Sequence, residues 1–198
     1  MEIINKILNK IDQHFYKILD GSIKIWLVFF CTLKKIKMGK NNLFFGHIKF
    51  YRSPQSIINI GSNCRFRSRS TSNLIGINHR CIISTQDKNA ILTIGNNCGF
   101  SGTSIGCFSS ITIKDNVKCG ANTLITDGDW HMNDTRVGPA KPILIEENVW
   151  LGYGSIVLKG VTIGKNSIIG AGSIVTTNIP ANCIAAGNPC KVIKLQHE

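Results

Sequence analysis

A six-residue repeat near the C-terminus restricts the fold of this 198-residue chain more than any other feature of its sequence. Aliphatic residues recur every six positions, and a second column of small or β-branched residues lies four positions after each of them. The first column contains Ile145, Leu151, Val157, Ile163, Ile169 and Val175, and the second contains Val149, Ser155, Val161, Ser167, Ser173 and Ile179. An α-helix has about 3.6 residues per turn, so it does not hold such a period on one face. The repeat predicts a β-solenoid with three hexads in each triangular coil.

In the predicted coil each hexad supplies one short strand and one corner, with the aliphatic side chain inside and the small residue near the corner. Glycine follows several of the aliphatic residues, as in Leu151-Gly152 and Ile163-Gly164, and we expect it there because the backbone must turn. Less regular copies of the two columns extend toward the N-terminus and include Ile60, Cys64, Ile94, Cys98, Ile113, Cys119 and Ile125. Between residues 65 and 93 the pattern gives no register.

The hexads stop between Ile125 and Ile145, where residues 126–142 form one long polar excursion that contains Asp-Gly-Asp-Trp-His. A regular solenoid does not need such a loop, and interruptions on one face of a repeat protein often carry its function. We therefore expect the active-site loop at 126–142.

The N-terminal 40 residues form a separate segment in the prediction, before a β-helix domain at 41–198. Residues 3–19 have the apolar stripe of an amphipathic helix, and Asp20-Gly21 is a plausible stop. A second apolar segment, 23–30, then runs into four lysines. One interpretation is a helical cap that packs on the main domain or on a partner subunit. The other is an interfacial anchor whose basic side faces anionic lipid.

The net charge of +12 is concentrated in residues 1–52, which hold 10 basic and 3 acidic side chains. The sequence contains no helix-turn-helix, zinc finger or aromatic RNA-binding signature, so we expect no nucleic-acid partner. Anionic small molecules, or an anionic membrane surface near the N-terminus, explain the charge at least as well. The longest apolar run, Ile25 to Cys31, is far shorter than a membrane-spanning helix, and no secretory cleavage site follows it.

The eight cysteines contain no C-x-x-C pair, which argues against a zinc cluster. Because no secretory signal indicates an oxidising compartment, a disulfide framework is not expected either. The prediction is a cytoplasmic protein whose reduced thiols act as small apolar fillers.

Four stretches of the chain resemble the hexapeptide-repeat acyltransferases, in the branch of galactoside, maltose and polysaccharide O-acetyltransferases. They are NVWLG at 148–152, GVTIG at 160–164, GAGSIVT at 170–176 and AGNPCKVI at 186–193, and the Asp-x-Asp-Trp-His loop adds to them. The resemblance covers about residues 55–195 and leaves out the first 40. It implies an all-β fold, a left-handed parallel β-helix of hexapeptide repeats, preceded here by the N-terminal helical segment.

The resemblance further implies a homotrimer that uses acetyl-CoA, without a metal, and acetylates a carbohydrate acceptor. Each active site is then expected between two subunits. A lone prism would also expose apolar faces near Ile143, Val157 and Ile174, which is a second reason to expect the trimer.

His131 matches the catalytic histidine of such enzymes and is predicted to be the general base, because an imidazole titrates near neutral pH. Asp129 is predicted to orient that imidazole, and Asp127 and Trp130 to bind the acceptor. Alternatively, the two aspartates cap the loop turn and the tryptophan anchors the loop.

The cofactor-binding residues implied by the resemblance are Trp150, Tyr153, Ala171, Thr176, Lys191 and Lys194. The backbone N–H of Tyr153 would meet the thioester oxyanion, since tyrosine stands where relatives have serine. The two lysines would meet the nucleotide phosphates, or else belong to a solvated tail. Met132, where many relatives have proline, puts the shape of the acceptor pocket in question.

The function expected from this resemblance is O-acetylation of a sugar hydroxyl, in the modification of a bacterial capsule or O-antigen. The enzyme would be cytoplasmic, at the inner face of the membrane if the N-terminal segment contacts it. Alternatives are N-acetylation of a nucleotide-linked amino sugar, acetylation of an antibiotic, and a non-catalytic β-helix scaffold.

Overall fold

The chain forms one long helix followed by six coils of a β-helix, and the predicted fold class, a left-handed parallel β-helix preceded by a helical segment, is confirmed. The structure is a computed structural model that describes residues 2–131 and 134–195. Helix α1 spans Glu2–Leu33, and a short 3-10 helix spans Ser70–Ser72.

Each coil contributes one strand to each of three sheets. The first two coils contain β1 (Lys37–Met38), β2 (Leu43–Phe45), β3 (Lys49–Arg52), β4 (Ile57–Ile60), β5 (Arg65–Arg67) and β6 (Ile82–Thr85). The third and fourth contain β7 (Ile91–Ile94), β8 (Gly99–Ser101), β9 (Ser104–Cys107), β10 (Ser110–Ile113), β11 (Lys118–Ala121) and β12 (Leu124–Thr126). The fifth and sixth contain β13 (Ile143–Ile145), β14 (Trp150–Leu151), β15 (Ile156–Val157), β16 (Thr162–Ile163), β17 (Ile168–Ile169) and β18 (Ile174–Val175). A hairpin of β19 (Cys183–Gly187) and β20 (Cys190–Leu195) follows.

The three sheets are stacks of parallel strands with aligned registers. The first sheet has the order β1-β4-β7-β10-β13-β16, the third has β3-β6-β9-β12-β15-β18, and the second begins β2-β5-β8-β11-β14-β17 and ends in the hairpin. In the first sheet Ile113 lies opposite Ile145, and Ile145 lies opposite Ile163. The predicted aliphatic column is buried inside the prism, and so are the second-column serines Ser155 and Ser167. The inward assignment of the aliphatic column is confirmed.

The reason for glycine beside the aliphatic residues differs from the predicted one. Gly61, Gly152 and Gly164 are not among the residues with positive φ. A Cβ at Gly152 would lie 2.5 Å from the backbone nitrogen of Ala171 in the next coil, and one at Gly61 would lie 2.5 Å from the Gly95 oxygen. Close stacking of the coils therefore excludes a side chain there. Left-handed backbone, with φ between 55° and 62°, is instead adopted by Asn63, Asn97, Asn116, Asn148, Asn166 and Asn182.

The hexad register between residues 65 and 93 could not be predicted, and the structure shows two reasons. Residues 68–81 form an insertion between β5 and β6, which separates neighbouring strands of one coil. In addition, the inward column of the second sheet is aromatic in the first three coils. Phe66 stacks between Phe44 and Phe100, with ring centroids 5.3 and 5.1 Å apart, so these coils lack the aliphatic signature.

The predicted helix stop at Asp20-Gly21 is wrong, because α1 continues to Leu33. The Asp20 carboxylate pairs with Arg69 at 2.7 Å and accepts a hydrogen bond from the Gly46 N–H at 3.0 Å. The next turns bury Ile23, Leu27 and Cys31 against the core of the first coil. That burial offsets the roughly 1 kcal/mol that glycine costs inside a helix. The helix thus covers the N-terminal end of the prism.

Partly exposed apolar side chains do lie near Ile143, Val157 and Ile174 as predicted, but of these three residues only Ile174 itself is on the outside. Ile143 and Val157 point into the prism and are only 2% and 0% exposed. Their neighbours Leu144, Ile156 and Ile174 are half-buried on the outside. The trimer therefore needs an argument other than the exposure of Ile143 and Val157.

All eight cysteines are buried thiols, and Cys64, Cys98 and Cys119 occupy the repeat positions predicted for them. Burial raises the pKa of the Cys31 thiol to about 11. Burial, with help from the nearby Asp127 carboxylate, raises the pKa of Cys107 to about 12. Both side chains are therefore uncharged at neutral pH and act as apolar filling.

Alkaline pH is expected to destabilise the fold through these thiols. Folding raises their pKa above the ordinary value of 9.0, so their contribution is complete below pH 9 and is lost as the pH rises toward 12. We expect the free energy of unfolding, measured with denaturant under reducing conditions, to fall by about 2–4 kcal/mol between pH 8.5 and pH 11. Cys107→Ala should show a smaller fall, and an identical fall in both proteins would contradict this role for Cys107.

Candidate active site

The polar loop 127–142 leaves the prism after β12 and is closed at its base. The Lys141 N–H donates to the Asp127 carbonyl at 2.9 Å, and the Gly160 N–H donates to the Lys141 carbonyl at 3.0 Å. These bonds attach both ends of the loop to the corner between the third and first sheets. We call this the loop corner. Lys159 and Thr176 also lie there, because the Leu158 N–H donates to the Val175 carbonyl at 3.0 Å.

Trp130 anchors the loop on the outer face of the third sheet. Its indole lies over Gly106, where a Cβ would be 2.4 Å from the ring, and it meets the Phe108 ring edge-on at 5.2 Å. The Trp130 backbone has φ of 64°, which is rare for a bulky side chain and is typical of strained functional loops. Half of the indole stays exposed, so it anchors the loop and also offers a face to a ligand.

Asp127 is not exposed to an acceptor, contrary to its predicted role. Its carboxylate is fully buried and accepts hydrogen bonds from the N–H groups of Phe108 at 2.5 Å and Ser109 at 2.8 Å. Of the two interpretations left open by the sequence, the structure supports the turn cap. Moving this carboxylate out of its site would break two hydrogen bonds to backbone donors and would cost free energy.

Asp129 faces Lys159 rather than His131. The Lys159 ammonium pairs with the Asp129 carboxylate and also donates to the Gly138 carbonyl at 3.2 Å. Among the described residues, no hydrogen bond joins Asp129 to the imidazole. Its predicted role in orienting the base is therefore replaced by a role in fixing the loop. No sequence pattern pointed to Lys159, which occupies an ordinary hexad corner.

His131 lies at the exposed tip of a tight turn in the loop. Its backbone N–H donates to the Asp129 carbonyl at 2.7 Å, and its carbonyl accepts from the Asp134 N–H at 2.9 Å. The imidazole is exposed to solvent, as a base that meets an incoming hydroxyl must be. The predicted effect of Met132 on the acceptor pocket lies outside the described residues.

Tyr153, Ala171 and Lys191 follow one another along the corner between the second and third sheets, which we call the Tyr153 corner. The Gly172 N–H donates to the Tyr153 carbonyl at 2.7 Å, so Ala171 lies one coil further along. Lys191 on β20 pairs with Ala186, which stacks on Gly170. Ala171 and Lys191 are both exposed, and this corner forms a continuous edge.

The backbone N–H of Tyr153 makes no hydrogen bond within the described residues, so it is available to an oxyanion. A Cβ at Gly120 would lie 2.7 Å from that nitrogen, and the glycine keeps the space beside it open. The Tyr153 phenol turns away and accepts a hydrogen bond from the Asn122 amide at 3.1 Å. The geometry thus agrees with a role for the backbone and not for the side chain.

The remaining predicted cofactor residues lie at three different places. Trp150 is half-exposed on the outer face of the second sheet and borders a groove of about 410 Å³ with Lys118. Lys194 is exposed on β20 opposite Ile184, so it belongs to a strand and not to a free tail. Thr176 lies at the loop corner, separated by the width of the third sheet from Ala171.

Within a single chain, the two parts of the predicted site are the His131 loop and the Tyr153 corner. They lie at opposite ends of the strands of the third sheet. Strands β12 and β15 run parallel with Ile125 opposite Val157. The loop with His131 follows the C-terminal end of β12, whereas Tyr153 precedes the N-terminal end of β15. The structure therefore does not bring His131 and the Tyr153 corner together within one copy.

Residues 142–177 match a family model described as bacterial transferase hexapeptide (six repeats). The predicted resemblance to the hexapeptide-repeat transferases is confirmed. Relatives in this group include the galactoside O-acetyltransferase of Lactococcus lactis, 43% identical over 110 residues that make up 50% of this chain and 53% of that protein. The galactoside O-acetyltransferase of Escherichia coli is 47% identical over 89 residues, 43% of this chain and 44% of that protein. The chain thus spans about half the length of these hexapeptide-repeat relatives.

Solved structures show the same fold over most of the chain. AntD, an N-acyltransferase from Bacillus cereus solved with dTDP and 3-hydroxybutyryl-CoA, superposes with a TM-score of 0.64 at 22% identity. The superposition covers 84% of this chain and 87% of AntD. At this identity the similarity establishes the β-helix fold alone.

Metal binding and membrane crossing can be considered for the described residues 2–131 and 134–195. No three His, Cys, Asp or Glu side chains there are grouped so that they would hold a metal ion. Over the same part of the chain, no helix is long and apolar enough to cross a membrane.

Proposed function

We propose that the chain is an acetyl-CoA-dependent O-acetyltransferase that acts on a sugar hydroxyl. The observation that carries the proposal is the 43–47% identity of about half of the chain to two galactoside O-acetyltransferases. The exposed His131 on an anchored loop and the open Tyr153 N–H supply the two groups that such a reaction needs.

In the proposed mechanism His131 accepts the proton of the sugar hydroxyl while that oxygen attacks the thioester carbon. The Tyr153 N–H donates a hydrogen bond to the carbonyl oxygen as it gains negative charge. The carbon–sulfur bond then breaks, and the His131 imidazolium returns its proton to the departing CoA thiolate. No cysteine is needed as an acyl carrier, and the raised pKa of Cys107 keeps that thiol a poor nucleophile.

We propose that the active enzyme is a homotrimer whose sites each join two copies. The support is the separation of His131 and the Tyr153 corner across the third sheet. In a ring of three prisms, the loop corner of one copy can meet the Tyr153 corner of the next copy. Trp150, Ala171 and Lys191 would then lie along the cofactor groove of one copy, and Thr176 would be contributed by its neighbour.

The proposed acceptor is a glycan destined for the bacterial surface, acetylated at the cytoplasmic side of the membrane. A second candidate is N-acylation of a nucleotide-linked amino sugar, for which the fold shared with AntD is the supporting observation. Incubation with labelled acetyl-CoA separates the two. Label released from a galactoside or oligosaccharide by mild base indicates an ester, whereas base-stable label on a nucleotide-linked amino sugar indicates an amide. Label on neither acceptor class would contradict the proposal.

Lys159 is expected to act as a positioning residue for the loop. Lys159→Met keeps the apolar stem but removes the bonds to Asp129 and Gly138, so His131 is held less firmly. We expect kcat/KM for the acceptor to fall about 3- to 10-fold, since each such bond contributes roughly 1 kcal/mol. KM for acetyl-CoA should change little. Lys165→Met, at an exposed corner away from the loop, is the matched control, and equal losses in both variants would contradict this role.

A further inference from the structure

Helix α1 has a second apolar face that points away from the β-helix. Its inner face buries Ile23, Leu27 and Cys31 in the core. Ile18 and Leu27 are nine residues apart, which at about 100° per residue places them on opposite sides of the helix. Large apolar side chains that are 58–75% exposed recur along this outer face at Ile11, Phe15, Ile18, Ile25, Phe29 and Leu33. We call this set the outer stripe.

The insertion between β5 and β6 adds two more exposed apolar side chains beside the helix. Leu74 is 91% exposed and Ile75 is 61% exposed. The insertion is tied to α1 through Arg69, whose guanidinium pairs with Asp20 and lies 4.0 Å from the centre of the Tyr16 ring. The outer stripe and the Leu74–Ile75 pair are therefore held on one end of the molecule.

Lysines accompany the outer stripe at a regular interval. Lys-Ile pairs occur at 10–11, 17–18 and 24–25, seven residues apart, so the three lysines line one flank of the helix. All three pairs precede Lys34, Lys35, Lys37 and Lys40 in the chain. The acidic Asp20 is already neutralised by Arg69. The surface thus combines exposed apolar side chains with a basic flank.

We propose that the outer stripe and the Leu74–Ile75 pair bind the surface of an anionic phospholipid membrane, with α1 lying in the membrane plane. An apolar face with a lysine flank suits the boundary between acyl chains and anionic headgroups. Half-exposed Trp26, stacked on Phe30 at 5.2 Å, is an aromatic residue of the kind enriched at that boundary. Pairing the stripe with a second copy is disfavoured, because it would bring two lysine flanks together.

This binding surface is separate from the candidate active site. Helix α1 packs on β1 and β2 of the first coil, whereas the loop corner and the Tyr153 corner belong mainly to the fifth and sixth coils. The proposal therefore does not depend on which acceptor the enzyme uses, and vesicle binding can be measured without any substrate.

The test is flotation of the 198-residue chain with vesicles of phosphatidylcholine alone or with about 30% phosphatidylglycerol. Wild-type protein should float with the anionic vesicles, and less so as salt is raised. The triple variant Ile18→Gln, Ile25→Gln, Phe29→Gln should bind at least about tenfold more weakly, because its changes remove apolar surface that enters the membrane. Lys10→Gln, Lys17→Gln, Lys24→Gln together should lose the preference for anionic vesicles.

Ile193→Gln is the matched control, since Ile193 is 65% exposed on β20 at the far end of the β-helix. It should float like wild type, and circular dichroism should show that each variant keeps its fold. Failure of wild-type protein to bind anionic vesicles would overturn the proposal, and so would undiminished binding by the triple variant. Stripe-dependent self-association without vesicle binding would assign the face to a second copy and would also overturn it.

Discussion

His131→Ala is expected to lower turnover by about 10²–10⁴-fold, which is the usual contribution of a positioned general base. The reaction must remove one proton from a hydroxyl as its oxygen attacks, and a neutral imidazole nitrogen can accept that proton. Because the His131 side chain is exposed, its removal leaves no cavity in the core. Steady-state rates with saturating acceptor and acetyl-CoA measure the effect.

Three further measurements make this result interpretable. The melting transition, the oligomeric mass and acetyl-CoA binding of His131→Ala should stay close to those of wild type. His14→Ala, in the exposed part of α1, is the matched control and should keep full turnover. Near wild-type turnover in His131→Ala would remove this residue as the base. An acetyl adduct on Cys107 during turnover, found by mass spectrometry, would contradict direct transfer.

Phe66→Ala is expected to cost about 3–5 kcal/mol in the free energy of unfolding, the largest stability effect that we anticipate. Phe66 is completely buried, and it is stacked on both sides by Phe44 and Phe100 at 5.3 and 5.1 Å. Its removal leaves a cavity that the parallel strands cannot close, since their spacing is fixed by the backbone ladder.

Denaturant unfolding at pH 7 measures this loss, and Phe29→Ala provides the control. Phe29 is 63% exposed on α1, so its replacement should change the free energy of unfolding by less than about 0.5 kcal/mol. Phe66→Leu should lie between the two. A loss below about 1 kcal/mol in Phe66→Ala would show that the aromatic stack is not a main source of stability.

The sequence predicted the coils best where neighbouring hexads repeat the same chemistry. Ile145, Leu151 and Val157 fill equivalent inward positions, so their spacing reported the fold directly. The prediction from the sequence failed where a different type of side chain fills the inward positions. The stacked Phe44, Phe66 and Phe100 fill the prism as well as aliphatic residues, but they carry no hexad signal.

The predictions of the helix stop and of the aspartate roles in the loop failed for a different reason. Both features depend on tertiary contacts. Asp20-Gly21 is a local stop signal, but burial of Ile23 and Leu27 on the first coil continues the helix through it. Asp127 and Asp129 precede His131 by four and two residues. The Asp127 carboxylate binds the turn at 108–109, and the Asp129 carboxylate binds Lys159. No local sequence pattern indicates either partner.

The separation of His131 from the Tyr153 corner turns the proposed trimer into a requirement of the mechanism. Within one copy these groups lie at opposite ends of the strands of the third sheet. The proposed mechanism therefore needs the loop of one copy and the corner of another. Two inactive variants can test this arrangement. His131→Ala removes the base, and Ala171→Trp fills the exposed Tyr153 corner.

The most direct measurement is the turnover of mixed assemblies, made by co-expressing the two variants with different affinity tags and purifying through both. Each variant alone should be nearly inactive. Purification through both tags leaves only trimers that contain both variants, and in each of them one of the three interfaces joins an intact base to an intact corner. About a third of wild-type turnover should therefore return. If each site were formed within one copy, every site in the mixture would carry one of the two defects. Mixed assemblies as inactive as the single variants, or a purified protein of 21.8 kDa that is active as a monomer, would contradict the account.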